Sequence, residues 1–108
     1  MAKYTLIASR DPFDSKDVAN YYDLAGDLQK DGNEVTLFLV QNGVFAARKS
    51  TASKLVADLA DRGVAVLADS FSLRERGITT ERLSETVKSA ELDIVVDHMA
   101  EGRKVIWH

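Results

Sequence analysis

Short runs of apolar, strand-forming residues alternate along this chain with segments whose apolar residues recur at helical spacing. The strand-like runs cover 4–8, 35–40, 64–68 and 104–107. The second run is almost wholly apolar, which is typical of a strand covered on both faces. The alternation predicts right-handed crossovers and a three-layer α/β/α sandwich around a mostly parallel sheet of about five strands.

The helical segments are recognised by their apolar spacing and by the residues that end them. We predict a first helix that is capped by Asp14 or Ser15 and ends at Gly32. Its apolar stripe consists of Val18, Tyr21, Leu24, Ala25 and Leu28. A second helix is predicted over 51–62, with Leu55, Val56 and Leu59 facing inward, and a last one over 92–99, marked by Leu92, Val95, Val96 and Met99.

The remaining segments give weaker signals. Gln41-Asn42-Gly43 is expected to break the second strand, before a short helical turn over 44–48. A short helix is expected within 69–76, ended by Gly77, and a loop over 78–82. Residues 85–88 fit a fourth strand or a helix, and the strand is the interpretation carried in the predicted element order.

Length and charge restrict the class of protein. The 108 residues fit one domain, 1–108, with one core. The net charge of −3 and the scattered Lys and Arg argue against nucleic acid and against an anionic membrane surface as partners. There is no stretch of about 20 apolar residues and no leader-like start, so we expect a cytoplasmic protein.

The absence of cysteine is a firm chemical exclusion. Because the chain has none, it supplies no thiolate nucleophile, persulfide or cysteine ligand. Its two histidines, His98 and His108, are isolated in the sequence, so no metal site is predicted. Glycine-rich nucleotide-binding loops and the Gly-x-Ser-x-Gly elbow are missing, so neither a cofactor nor a hydrolytic triad is expected.

Polar residues follow several predicted strands at their carboxyl ends. In open parallel sheets, ligands bind outside these ends, so the strand exits are expected to gather polar groups on one rim. The ligand-binding candidates on this rim are Ser9, Arg10, Asp11, Gln41, Asn42, Asp69, Ser70, Ser72 and His108.

Asp69 is the candidate with catalytic potential, because it directly follows a buried-strand pattern. A carboxyl group near apolar walls can act as a general acid or base. Capping the following helix explains the same position fully, and we prefer that interpretation.

Arg10 is interpreted as a solvated loop cation or a partner of Asp11 rather than as an anion ligand. Gln41-Asn42-Gly43 is interpreted as a turn.

Three large aromatic side chains, Phe45, Phe71 and Trp107, lie near strand ends or in loops. In so small a domain we expect them to be core residues. If they are exposed together, they predict a subunit interface.

Three stretches of the chain resemble the DsrE/DsrF-like sulfur-relay family, which includes the Tus-type subunits. They are the N-terminal strand with the helix that carries Ala19, Tyr22 and Leu24, the segment 38–44, and above all 66–78, which ends in Arg76-Gly77-Ile78. The resemblance spans nearly the whole chain. It implies a three-layer parallel-sheet fold and assembly into dimers, trimers or hexamers.

The resemblance also implies a departure at the active position. Active members carry a persulfide-bearing cysteine eight residues before the glycine that matches Gly77, and Asp69 stands there in this chain. A carboxylate cannot hold persulfide sulfur. The favoured hypothesis is therefore a cysteine-less, non-catalytic subunit that is a structural or regulatory partner in sulfur-related metabolism, as a homo-oligomer or with a related DsrE-like subunit. The alternatives are a small-molecule-binding domain using the rim, and an acid/base enzyme using Asp69, assisted by His108.

Overall fold

The computed structural model describes residues 2–13, 15–49 and 53–108, and shows one parallel sheet. The strands are β1 (Lys3–Ala8), β2 (Glu34–Leu39), β3 (Ala65–Asp69), β4 (Val87–Ala90) and β5 (Lys104–Trp107). They lie in the order β4-β3-β2-β1-β5, and each neighbouring pair is parallel. The predicted fold class is confirmed.

Helices cover both faces of this sheet. They are α1 (Asp17–Lys30), α2 (Ser53–Asp61), α3 (Ser70–Glu75) and α4 (Asp93–Ala100), with 3-10 helices at Gln41–Ala47 and Thr80–Arg82. From β1 to β4 the chain steps in one direction, and right-handed crossovers therefore place α1, α2 and α3 on one face. The step from β4 back to β5 reverses direction and places α4 on the other face.

Successive strand residues point to opposite faces of the sheet and belong to two separate hydrophobic cores. Leu6 and Leu37 belong to the larger core, under α1, α2 and α3. Ile7 and Phe38, their neighbours in sequence, belong to the smaller core, which Val95 of α4 covers. This alternation is the two-residue period of a strand, and it places α4 alone over the second face.

Several predicted boundaries are corrected. The first helix begins after Lys16, without a side-chain cap, so Ser15 is not its N-cap, and Asp14 lies outside the described residues. The predicted start of the second helix at 51–52 also lies outside them. The strand interpretation of the fourth element holds, but β4 begins two residues later than predicted.

The second strand ends before Gln41, as predicted, but Gln41-Asn42-Gly43 already belong to a 3-10 helix, which begins three residues earlier than the predicted turn. A Cβ on Gly43 would overlap the carbonyl oxygen of Ala8, so the helix can approach β1 only because this residue is glycine. Gln41 has φ +50°, a backbone conformation that non-glycine residues seldom adopt. These features bring the 3-10 helix tightly against the strand exits.

The described residues include no helix that is long and apolar enough to cross a membrane.

Candidate functional site

Asp69 is the last residue of β3 and the N-cap of α3. Its backbone is extended, and its Oδ2 accepts hydrogen bonds from the Ser72 N–H at 3.1 Å and the Ser72 hydroxyl at 2.7 Å. The side chain is only 6% exposed. The geometry is that of the capping interpretation preferred from sequence. An acid/base role for Asp69 remains a prediction.

Ser72 connects this cap to the loop after β2. Its Oγ donates to Asp69 and accepts the Gln41 backbone N–H at 2.9 Å, which stabilises the left-handed conformation of Gln41. Arg76, one turn further along, donates from Nε to Asn42 Oδ1 at 3.1 Å and from a terminal nitrogen to the Ser72 carbonyl at 3.3 Å. The exits of β2 and β3 are therefore joined by one polar network, which contains four of the predicted site residues.

A cavity of about 370 Å³ opens beside this network, on the α4 side of the sheet rim; we call it the rim cavity. Asp69 and Val40 contribute to it from the strand exits, and Phe71, Leu92 and Trp107 from α3, the start of α4 and the end of β5. The full lining consists of Val40, Gln41, Asp69, Phe71, Ser72, Glu75, Arg76, Leu92 and Trp107. It combines a buried carboxylate with exposed aromatic groups.

The aromatic prediction was wrong for two of its three residues. Phe71 is 59% exposed and Trp107 60% exposed, and they line the same cavity. Only Phe45 packs, half-buried, against the larger core. Trp107 reaches the rim on the α4 side because it is in register with Ile7 of β1, which faces α4.

Ser9 and His108 meet at the exits of β1 and β5, and neither is among the residues lining the rim cavity. The Ser9 hydroxyl donates to the His108 backbone oxygen at 2.8 Å. The His108 ring stacks on Tyr21 of α1 at 4.7 Å between centroids, which turns it to the opposite face from Trp107. The His108 ring and the rim cavity therefore lie on opposite sides of the sheet.

The other predicted site residues make local contacts. Arg10 lies 3.9 Å from Asp17 at the surface, so its carboxylate neighbour is not the predicted Asp11. Asp11 accepts the Phe13 backbone N–H at 2.9 Å, in a turn. Ser70 borders a separate groove between α3 and β4, with Arg74 and several hydroxyl groups. These contacts give no support to a common ligand site for the three residues.

His98 makes a buried contact that the sequence analysis did not single out. Its Nδ1 lies 2.6 Å from Thr5 Oγ1, between α4 and β1, and its side chain is 8% exposed. Burial lowers the pKa of His98, and Arg103 lowers it further. The inward position of His98, three residues after Val95, was a helical-spacing signal that could have found it.

Within the described ranges, no three His, Asp or Glu side chains are grouped so that they could hold a metal ion.

The fold and the rim together define a small three-layer α/β protein with a capped carboxylate where β3 ends. The chain belongs to the DsrE/DsrF-like family, whose model matches residues 2–108. The predicted family is confirmed.

Three solved structures with the same fold share 15–23% sequence identity with this chain. A protein of unknown function from Methanobacterium thermoautotrophicum, MTH1491, is 23% identical over 100% of both chains, with a TM-score of 0.86. The ychN protein of E. coli is also 23% identical over 100% of both chains, with a TM-score of 0.90. BT1422 of Bacteroides thetaiotaomicron, a conserved protein of unknown function, is 15% identical over 98% of this chain and 94% of its own, with a TM-score of 0.82. No curated protein matches the chain.

Proposed function

We propose that this chain is a self-associating, non-catalytic subunit of the DsrE/DsrF-like family that does not carry persulfide sulfur. The observation that carries the proposal is an exposed apolar surface on α4 and at its start. Leu92, Val96 and Met99 are 54%, 65% and 59% exposed. We call these three residues the α4 ridge.

The α4 ridge follows from the composition of one short helix. Val95 and His98 are its buried residues, and they already fill the contact with the sheet. Leu92, Val96 and Met99, spaced i, i+4 and i+7, form a second stripe that the sheet cannot cover. An exposed apolar stripe of this kind is typical of a protein–protein interface.

The apolar surface continues beyond the helix. Leu92 lines the rim cavity together with Phe71 and Trp107, which are both largely exposed. The α4 ridge is therefore contiguous with these two aromatic side chains. Aromatic residues and methionine are enriched in interfaces. The joint exposure of Phe71 and Trp107 is the condition under which the sequence predicted a subunit contact.

A second copy of the chain is the occupant that the family favours. Asp93, Asp97 and Glu101 are exposed beside the ridge and would repel an anionic membrane. Family members assemble into dimers, trimers or hexamers, and a two-fold contact needs only one apolar patch, used twice. Sulfur transfer is not part of the proposal. Asp69 stands where active members have cysteine, and the chain contains no thiol.

Size-exclusion chromatography with light scattering tests the proposal on the intact protein. We expect a wild-type oligomer that Val96→Glu shifts toward monomer, since a buried unpaired carboxylate opposes the contact. Leu55→Glu is the matched control. Leu55 was expected from sequence to face inward, but it is 39% exposed on α2, on the opposite face of the sheet, so this change should leave the assembly unchanged. A wild-type monomer at working concentration, without a related subunit co-purifying, would contradict the proposal.

A further inference from the structure

We infer that the rim cavity is a binding site for a small organic cation, a protonated amine attached to an apolar or aromatic body. The ammonium group of this ligand would form an ion pair with Asp69, and its apolar or aromatic body would lie against Trp107 and Phe71. The inference goes beyond the proposed assembly and does not require it.

The Asp69 carboxylate is the group that would bind the charge of the ligand. It is 6% exposed, yet no ion pair within the described part of the chain involves it. Buried carboxylates are almost always paired with a cation, because desolvation of an unpaired charge is costly. Both described hydrogen bonds to Asp69 end on Oδ2, whereas a carboxylate has about four acceptor sites. Acceptor capacity and negative charge therefore remain for a bound donor.

The walls of the rim cavity suit an apolar or aromatic body. Trp107 and Phe71 are aromatic, more than half exposed, and line the same space as Asp69. Aromatic faces attract cations and stack on planar groups, and tryptophan is the strongest of them. The volume of about 370 Å³ lies at the lower end of ligand sites, which suits a small molecule.

The charged side chains of the cavity lining also favour a cation. Glu75 adds a second carboxylate to the lining, against one guanidinium, that of Arg76. Arg76 is itself engaged with Asn42 Oδ1 and the Ser72 carbonyl oxygen. The lining is therefore net negative, which favours a cation and disfavours an anion.

The test uses Trp107, the only tryptophan in the chain, as a fluorescent reporter inside the cavity. The probes are 2-phenylethylamine, 2-phenylethanol and phenylacetate, which share a phenyl ring and differ in the charge of the terminal group. We expect the amine to change Trp107 emission with a Kd at least about tenfold lower than that of the alcohol, with phenylacetate weakest. Similar binding by all three probes would overturn the inference.

Asp69→Asn is the decisive variant, because asparagine is also a good N-cap and the fold should persist. It should abolish the preference for the amine. Asp97→Asn, which removes one exposed carboxylate of α4 away from the cavity lining, is the matched control and should retain the preference. Undiminished amine binding by Asp69→Asn would also refute the inference.

The outcome separates this inference from the proposed assembly. Phe71 and Trp107 also belong to the surface proposed for the assembly, so the titration is repeated with Val96→Glu, a residue outside the cavity lining whose change weakens the contact. No preference for the amine in either protein refutes the cation site alone. A wild-type monomer that binds the amine through Asp69 refutes the assembly alone.

Discussion

Asp69 and Ser72 form a closed pair at the start of α3, in which one carboxylate oxygen accepts both the backbone N–H and the hydroxyl of the serine. The pair connects the end of β3 to a helix of only six residues. So short a helix has little stability of its own, and it depends on its cap and its packing.

Removal of the cap should therefore be measurable. We expect Asp69→Ala to lower the free energy of unfolding by about 1–2 kcal/mol, because the N–H and the buried hydroxyl of Ser72 both lose their acceptor. Asp69→Asn should cost only about 0.5 kcal/mol or less, since asparagine caps as well as aspartate. Urea unfolding followed by circular dichroism measures both. Equal stability of Asp69→Ala and wild type would contradict this role of the carboxylate.

Gly43 and Gly26 make a matched pair for the close approach of the 3-10 helix to β1. We expect Gly43→Ala to destabilise the protein by about 1–3 kcal/mol, because the new Cβ meets the rigid carbonyl of Ala8. Gly26→Ala meets chiefly the flexible end of the Arg62 side chain. Within a helix this change should instead add about 0.5–1 kcal/mol. Opposite shifts of the midpoint of thermal unfolding are the expected result, and shifts of the same sign would contradict it.

The adjacent tyrosines of α1 are both buried, and their hydroxyl groups make different contacts. The Tyr21 hydroxyl shares its one proton between two acceptors, the carbonyl oxygens of Ile7 at 3.1 Å and Ile106 at 2.8 Å, and so links β1 to β5. The Tyr22 hydroxyl is buried and has no hydrogen-bond partner within the described ranges. Burial is the main cause that raises the pKa of both side chains.

Tyr21→Phe should therefore cost about 1 kcal/mol of stability, whereas Tyr22→Phe should be neutral or stabilising. Denaturant unfolding of the two variants side by side provides the comparison. An equal loss in both would mean that the hydroxyl contacts do not set the difference.

His98 predicts a pH dependence of stability. Its pKa in the folded protein lies below the ordinary value of 6.5, because burial and Arg103 disfavour the charged ring. The charged groups acting on it are Arg103, which lowers the pKa, and Glu101, Asp97 and Glu34, which raise it. As the pH falls below 6.5, the unfolded chain binds a proton that the folded chain resists, so stability decreases.

His98→Gln removes this proton uptake. The stability of the variant should fall less steeply than that of wild type as the pH decreases from 6.5, while the difference between the two proteins stays constant at higher pH. Unfolding free energies measured across this range provide the test. Parallel profiles throughout would show that His98 does not set the slope.

The sequence predicted the order of elements because the two hydrophobic periods differ clearly along most of the chain. It could not assign the buried side of α4, where apolar residues surround more than half of the helix. Val95 faces the sheet, and Val96, its neighbour, faces outward. Helical spacing identifies such a helix but does not orient it, because orientation depends on which side the sheet contacts.

The candidate site was predicted in part for a similar reason. The rule for parallel strands placed Asp69, Gln41 and Ser72 on one rim, and they do form one network. The His108 ring lies with Tyr21, away from the rim cavity, because β5 pairs with β1 and successive residues of a strand point to opposite faces. Strand order decides this division, and local sequence patterns do not contain strand order.

The pairing of β1 with β5 joins the earliest strand of the chain to the latest. A ribosome releases β1, β2, β3 and β4 in the order in which they pair, so a four-stranded intermediate can grow as it is synthesised. Its second face, with Ile7 and Phe38, stays uncovered until α4 is made. We expect this nascent intermediate to be a target for chaperones until α4 and β5 are added.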